Sequence, residues 1–243
     1  MGGILAAVVN ILLLCAGGDP VTAAFYCFLL SVLFLSGSFF AFLFASRTEF
    51  FRHYVRDTAA PQLDEATPLL DGPAKPISVA AVLRDIWVEG LTVLNIYIVT
   101  LACFPGLAVL VQSTGQLSAN TEWNTVYFVP VSCFLLYNVG DYLGRILAAC
   151  SVFSNTSSRL ALLFSCARLA FIPLFLLCNL APAERSVTRV IFSSDTVYIL
   201  LILLLAVSNG LLTSLVMVAA PKRVEQHQQQ TASNLVSILK THM

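Results

Sequence analysis

Apolar segments long enough to cross a lipid bilayer dominate this sequence. About 20 residues of α-helix span the hydrocarbon core, and six runs carry few charges or none, the first of them short. They are residues 4–15, 21–45, 87–111, 126–152, 160–177 and 196–219. Since lipid offers no hydrogen-bond partners to the backbone, such runs must be helical. The sequence therefore predicts an all-α, polytopic membrane protein of about six transmembrane helices that spans a lipid bilayer.

Composition supports this prediction and narrows the class of function. Hydrophobic residues make up 58% of the chain and charged residues 11%, against about 25% charged residues in soluble domains. The net charge is zero, so charge gives no argument for a nucleic-acid partner. The seven cysteines lie in or beside apolar runs, which favours free thiols. No metal-binding, ATP-binding or hydrolase motif is present in the sequence, and we predict no enzyme activity, metal or cofactor.

Basic residues divide the loops into two sets. Arginines and lysines concentrate in residues 46–86 and in the polar tail at 220–243, whereas residues 16–20 and 112–125 contain none. The positive-inside rule places the basic set in the cytoplasm. Residues 46–86 also contain four prolines, which interrupt a helix, so we predict a flexible cytoplasmic loop there. The sequon at Asn155 then lies in the cytoplasm and is expected to be unmodified.

The predicted cytoplasmic loop contains a candidate sorting signal. Glu65 is followed by Leu69 and Leu70, the acid-xxx-Leu-Leu pattern that clathrin adaptors bind on exposed cytosolic segments. This pattern also arises by chance. It leaves the plasma membrane and the late endosome or lysosome as alternative locations for a multi-pass membrane protein.

The fourth apolar run carries an acid and a base. A charge in hydrocarbon costs several kcal/mol, with estimates from about 2.5 to over 10, and usually faces a bundle interior or a wet cavity. Phe134, Asn138, Asp141 and Arg145 are spaced by four, three and four residues, so they share one helix face. Asp141 precedes Arg145 at i, i+4, the favourable order for a helical ion pair. This helix is predicted to line something polar.

Two interpretations fit this polar face. A carboxylate accepts hydrogen bonds from hydroxyls, a guanidinium donates several, an amide does both, and a phenyl ring stacks on a flat base. Together they suit a neutral ligand with vicinal hydroxyls and an aromatic base, which describes a nucleoside. The alternative is an internal ion pair that holds helices together.

Other features of the apolar runs indicate a network or a hinge. Arg168 is a second intramembrane cation, and Asp141 is the only acid deep within a span, so Arg168 either joins a network with it or contacts a ligand. Pro105 is expected to kink the third span. Asn209 is a packing residue or faces a cavity. Gly140 and Gly144 form a GxxxG pattern that lets another helix approach closely.

At these residues the chain resembles the equilibrative nucleoside transporter family. The resemblance rests on YFVPVSCFLLYNVGDYLGR at residues 127–145, and on Phe104-Pro105, RLAFIPLFLLCN at 168–179, SNG at 208–210 and PKR at 221–223, in the family's order. RTEFFRHY at 47–54 is also similar to the stretch after the family's sixth helix. The resemblance covers roughly residues 1–234.

The resemblance implies a major-facilitator-like fold of six plus five helices that moves nucleosides by alternating access, without ATP. Asp141 and Arg145 match the residues taken to contact the ribose and base region, with Asn138 beside them and Phe134 packing on the ligand. Residues 1–45 correspond to the last two helices of the first bundle and residues 87–219 to the first four of the second. We therefore expect a fragment. Its alternative function is that of a non-transporting membrane protein that assembles with a full-length transporter.

Overall fold

Helices account for nearly all of the regular structure in this protein. The computed structural model describes residues 2–16, 20–49, 79–116, 122–150, 156–181, 190–224 and 228–241. The helices are α1 (Gly2–Cys15), α2 (Pro20–Ala45), α3 (Val79–Asp85), α4 (Trp87–Leu110), α5 (Trp123–Ala148), α6 (Ser158–Leu176), α7 (Asp195–Arg223) and α8 (Gln229–Thr241). Within these ranges the only β-pairing is two isolated bridges. The prediction of an all-α chain is confirmed.

Five of these helices, α2 and α4 to α7, are long and apolar enough to cross a membrane, and α1 is a shorter apolar helix. This agrees with the six predicted runs and the short first one. The chain divides into two compact units: residues 13–76, which contain α2, and residues 1–12 with 77–243. The assignment of residues 1–45 and 87–219 to two transporter bundles stays a prediction. Glu65, Leu69, Leu70 and Asn155 lie outside the described residues.

The larger unit has two apolar clusters, one toward each end of α7. One contains Phe175, Tyr198 and Ile202, all almost fully buried. The other joins α3, α4, the second half of α7 and α8, with Ile86 and Val236 at its centre. The cysteines form no disulfides, as predicted. Burial raises the pKa of the Cys178 thiol to about 11, so this thiol stays protonated at neutral pH.

Helix α3 lies at the end of the segment that the sequence analysis assigns to a flexible loop. Val82 is fully buried and Ile86, just beyond the helix, is 1% exposed. These two residues are one helical turn apart, so both face the second apolar cluster. Pro76 is the last proline of the segment, and a helix forms readily after it. Residues 79–85 are therefore helical, and the flexible loop over the rest of residues 46–86 stays a prediction.

Helix α8 lies within residues 220–243, the segment predicted to be a polar tail. Ala232 and Val236 are fully buried against the second cluster, whereas Asn234 is exposed. Leu239 packs on Gly90 of α4. The helix has 13 residues, fewer than the roughly 20 that cross a bilayer.

Helices α5 and α7 cross in close contact because glycines stand at the crossing. A Cβ atom added to Gly140 would lie 2.8 Å from the Cβ of Ala206, and one added to Gly144 would lie 2.8 Å from the Leu211 nitrogen. From the other side, a Cβ on Gly210 would lie 3.0 Å from the Arg145 nitrogen. The predicted GxxxG contact is confirmed, with Gly210 as its counterpart on α7.

Helix α4 is interrupted at the predicted proline. Phe104 has φ −127° and ψ 125°, an extended conformation, and the Phe104–Pro105 peptide is cis. The interruption disturbs the helical hydrogen bonds, and the Ala108 carbonyl accepts a hydrogen bond from the Tyr198 hydroxyl of α7 at 2.9 Å. The expectation of a kink at Pro105 is confirmed.

The two ends of α4 are tied to α7 by polar contacts. Beyond one end, the Ser113 hydroxyl and the Thr114 amide donate to the Asp195 carboxylate at 2.6 and 2.9 Å. At the other end, Arg223 pairs with Glu89 at 3.1 Å. Glu89 is a buried acid that the sequence analysis did not single out, because it stands at the edge of an apolar run.

We expect the stability of the α5–α7 crossing to depend on its glycines, although glycine has a low helix propensity. Gly210→Ala should destabilise the protein by about 1–3 kcal/mol, because its Cβ forces α5 and α7 apart, although alanine favours helix by about 1 kcal/mol. Gly37→Ala is the matched control, since nothing lies within 4 Å of its Cβ position. Thermal unfolding in detergent, followed by circular dichroism, measures both. Equal melting temperatures for the two variants would contradict this packing.

The Glu89–Arg223 pair should respond asymmetrically to mutation. The Glu89 side chain is 2% exposed and that of Arg223 is 51% exposed. Arg223→Ala leaves a buried carboxylate without its cation and should cost about 3–5 kcal/mol. Glu89→Leu leaves an arginine that reaches solvent, so it should cost much less.

The double variant Glu89→Leu/Arg223→Ala provides the control for this asymmetry. It should be more stable than Arg223→Ala alone in the same thermal unfolding assay. A double variant that loses the sum of the two single effects would show that the ion pair does not account for the loss.

Candidate functional site

Asp141 and Arg145 form the predicted ion pair on α5. The Arg145 Nε donates to Asp141 Oδ2 at 2.8 Å, and its Nη2 donates to Oδ1 at 3.4 Å. The Asp141 side chain is 19% exposed and the Arg145 side chain is 39% exposed, so the ion pair is not fully buried between helices. Helical periodicity places these residues one turn apart, and the resulting fork is close to bidentate.

Asn209 of α7 connects this pair to the protein interior. Its Nδ2 donates to Asp141 Oδ1 at 2.7 Å, and its Oδ1 accepts from the Thr100 hydroxyl of α4 at 2.8 Å. The side chain is 5% exposed. Because the glycine crossing brings the backbones of α5 and α7 together, an amide as short as asparagine reaches the carboxylate. Asn209 is therefore a buried member of a hydrogen-bond network.

Arg168 of α6 lies on the far side of Asn209. Its Nη2 donates to Thr100 Oγ1 at 3.0 Å, to the Leu205 carbonyl at 3.3 Å and to Asn209 Oδ1 at 3.5 Å, and its Nη1 donates to the Ile96 carbonyl at 3.4 Å. The residue is 2% exposed. Arg168 is therefore linked to Asp141 through Asn209 and makes no direct salt bridge with it within the described residues.

Phe134 and Asn138 occupy the same face of α5 as Asp141 but do not contact its carboxylate. The Asn138 amide donates to the Phe134 carbonyl of its own helix at 2.8 Å, and its side chain packs against Gly3 of α1. The Phe134 ring meets Phe104 edge-on, with centroids 5.7 Å apart. Their roles as ligand contacts stay predictions.

An aromatic stack borders the polar network. Phe104, at the break in α4, stacks flat on Tyr137 of α5 with ring centroids 3.7 Å apart and 6° between the planes. Tyr137 is 7% exposed. The site thus combines hydrogen-bond donors and acceptors of both kinds with aromatic rings, around one carboxylate and two guanidinium groups. Such an arrangement favours a ligand with hydroxyl groups and a flat ring over a simple ion.

Comparison with known proteins agrees with this architecture. A family model described as "Nucleoside transporter" matches residues 71–240, which include α4 to α7 and the whole polar network. The chain belongs to the nucleoside transporter family. The resemblance stated from residues 127–145 and the later motifs is confirmed.

Individual relatives match over nearly the whole chain. It is 31% identical to equilibrative nucleoside transporter 1 of Mus musculus and 30% identical to equilibrative nucleoside transporter 2 of Homo sapiens, each over 98% of this chain. Over 66% of its length, the chain is 38% identical to equilibrative nucleoside transporter 1 of Homo sapiens. The matches cover 56% and 59% of the first two relatives, so this nucleoside transporter family member spans a little over half their length.

Sequence reasoning missed part of the network. Thr100 and Tyr137 are ordinary residues of membrane helices, and nothing in their spacing marks them as partners of Arg168 or Phe104. A signal for Thr100 does exist, since a mid-span arginine requires nearby acceptors and Thr100 is a hydroxyl residue in a neighbouring apolar run. That Arg168 contacts Thr100 and not another hydroxyl residue depends on how the helices cross, which the sequence does not show.

We predict that Asn209 contributes more stability than its polar neighbour. Asn209→Ala should cost about 1–3 kcal/mol, because it removes the buried amide that donates to Asp141 and accepts from Thr100. Ser208→Ala removes only a hydroxyl that donates to the Leu205 carbonyl of its own helix, and should cost less than about 1 kcal/mol. Thermal unfolding in detergent compares the two. An Asn209→Ala variant as stable as Ser208→Ala would rule out a structural role for the bridge.

Proposed function

We propose that this chain contributes to facilitative transport of nucleosides such as adenosine and uridine, and that Asp141 and Arg145 bind the substrate. The observation that carries the proposal is their ion pair, which is partly exposed on one side and held on the other by Asn209. An ion pair with only a structural role would be expected to be buried between helices, not partly exposed. The relatives' names, equilibrative nucleoside transporters 1 and 2, support the same substrate class.

The chemistry of binding follows from the donors and acceptors present. The Asp141 carboxylate accepts hydrogen bonds from ribose hydroxyls, and the exposed part of the Arg145 guanidinium donates to oxygen or nitrogen acceptors of the base. Asn209 keeps the Asp141 carboxylate in place while that carboxylate exchanges hydrogen-bond partners. Phe134 and Phe104 supply apolar surface for a flat ring. No covalent step is involved, and the carrier acts without ATP or a cofactor.

Transport requires the site to be exposed alternately to the two sides. In carriers of this architecture the substrate lies near the bilayer midplane between two groups of helices that rock about it. Asp141 lies well within α5, which fits that depth. Because this chain covers little more than half of its relatives' length, we propose that it supplies one wall of the site. Plasma-membrane or lysosomal residence, and adaptor binding through residues 46–86, stay predictions.

Asp141→Asn should reduce nucleoside binding and uptake at least tenfold. The substitution keeps the shape of the side chain and a hydrogen bond to Asn209, but removes the charge that holds Arg145 and attracts hydroxyl donors, worth about 1.5–3 kcal/mol. Equilibrium binding of radiolabelled adenosine and uridine to the purified chain, and uptake by proteoliposomes, are the measurements.

The matched control is Asp85→Asn, which removes an acid from an exposed position at the end of α3. It should bind and transport as the parent chain does. Binding without uptake would support the site and contradict transport by this chain alone. Asp141→Asn with unchanged binding would overturn the assignment of the substrate site.

A further inference from the structure

A basic patch lies at the end of the larger unit where α4 and α6 begin and α7 ends. It consists of Arg159, Lys222 and Arg223, whose side chains are exposed. Arg159 is the second residue of α6, and Lys222 and Arg223 are the last two of α7. The distribution of basic residues predicts that this end faces the cytoplasm. The basic patch is separate from the proposed substrate site, because it lies about 20 Å further along α7 than Gly210, which meets α5.

Hydrogen bonds hold Arg223 between two other helices. Its Nε donates to the Glu89 carboxylate of α4 at 3.1 Å, and its Nη2 donates to the Ser158 hydroxyl of α6 at 2.9 Å. Arg159 follows Ser158 and Lys222 precedes Arg223 in the sequence, so the same bonds bring the backbones of all three basic residues together. The fold therefore assembles the basic patch from segments that are far apart in the sequence.

The positive charge of the basic patch exceeds the negative charge around it. The buried Glu89 carboxylate offsets Arg223, and Asp85, the other acid described at this end, follows an arginine of its own helix. Within the part of the chain that the structure describes, no acid forms a salt bridge with Arg159 or Lys222. The Arg223 side chain is 51% exposed, and its Nη1 makes no hydrogen bond to the described residues. The patch therefore presents two uncompensated charges beside a guanidinium N–H that is held in place.

An exposed tryptophan indicates the depth of the basic patch in the membrane. Trp87 is the first residue of α4, lies two residues before Glu89 and is 60% exposed. Exposed tryptophans of membrane proteins concentrate at the level of the lipid headgroups. Arg223, which binds Glu89, therefore lies near the level of the lipid phosphates. Anionic lipids are concentrated in the cytoplasmic leaflet, where they attract lysines and arginines close to the membrane.

We propose that the basic patch binds the headgroup of an anionic phospholipid such as phosphatidylserine. The lipid phosphate accepts a hydrogen bond from Arg223 Nη1, and Arg159 and Lys222 attract its negative charge. Arg223 keeps its bond to Glu89, because that bond uses Nε. Phosphatidylcholine also has a phosphate, but its choline cation cancels the charge of the headgroup. It should therefore gain little from Arg159 and Lys222.

Native mass spectrometry of the purified chain in detergent measures this binding. Phosphatidylserine and phosphatidylcholine with identical acyl chains are titrated separately, and the dissociation constant of the first bound lipid is determined for each. Phosphatidylserine should bind about thirtyfold more tightly, since each of the two uncompensated charges contributes about fivefold. Equal dissociation constants would overturn the proposal. Inorganic phosphate at matched ionic strength should not displace phosphatidylserine, and displacement would replace the lipid by free phosphate as the occupant.

Charge-removing variants test the location. Arg159→Gln and Lys222→Gln should each weaken phosphatidylserine binding about fivefold, and the double variant should bind the two lipids equally. The matched control is Arg47→Gln, which removes an exposed charge on the same predicted side of the membrane but from the smaller unit, just after α2. It should bind as the parent chain does. The same loss in Arg47→Gln as in the other single variants would indicate a general effect of charge and overturn the site.

Thermal unfolding gives a second measurement, because a lipid that binds only the folded chain stabilises it by mass action. An excess of phosphatidylserine should raise the melting temperature of the parent chain more than phosphatidylcholine does. For Arg159→Gln/Lys222→Gln the two lipids should have the same effect, and its melting temperature without added lipid shows whether the variant folds. A double variant that phosphatidylserine stabilises as much as the parent would place the lipid elsewhere. No nucleoside enters either assay, so the outcome is independent of the proposed transport.

Discussion

Keeping charged groups paired inside an apolar bundle is the constraint on which this structure depends. Arg168 is almost fully buried, and its terminal nitrogens contact two helices besides its own. The charge is tolerated because Thr100 and Asn209 supply oxygens at the depth of the guanidinium, and because Asp141 lies beyond Asn209. Each member of this network hydrogen-bonds to another, so the network connects α4, α5, α6 and α7 more specifically than apolar packing does.

Close approach of two backbones makes that network reachable. Asparagine is a short side chain, and it meets Asp141 because Gly140, Gly144 and Gly210 let the backbones of α5 and α7 approach closely at their crossing. In lipid there is little hydrophobic gain from bringing helices together, so packing and interhelical hydrogen bonds decide association. Here the glycines allow close packing, and the Asn209 amide makes the interhelical hydrogen bond at the same place.

Much of this could be predicted from the sequence, for identifiable reasons. The apolar runs gave the membrane helices because bilayer thickness fixes their length. The four-residue spacing of Asp141 and Arg145 gave their pairing because helix geometry fixes it. The contacts that could not be predicted join positions far apart in the sequence or involve residues at the edge of an apolar run. Thr100 and Tyr137 depend on which helices are neighbours. Glu89 stands at the edge of a run, and its pairing with Arg223 joins positions more than a hundred residues apart. Helix α8 depends on a cluster that α3 and α4 complete.

The break at Phe104 divides one helix between two sets of neighbours. Residues 87–101 pack with α6, α7 and α8, whereas the short piece after Pro105 contacts α7 through Tyr198 and residues 179–181 through backbone hydrogen bonds. The loop that follows is held by Asp195. A boundary between two packing environments therefore passes through the interior of α4, and a tilt of α7 would act on both parts of the helix, through Tyr198 on one side of the break and through Thr100 and Glu89 on the other.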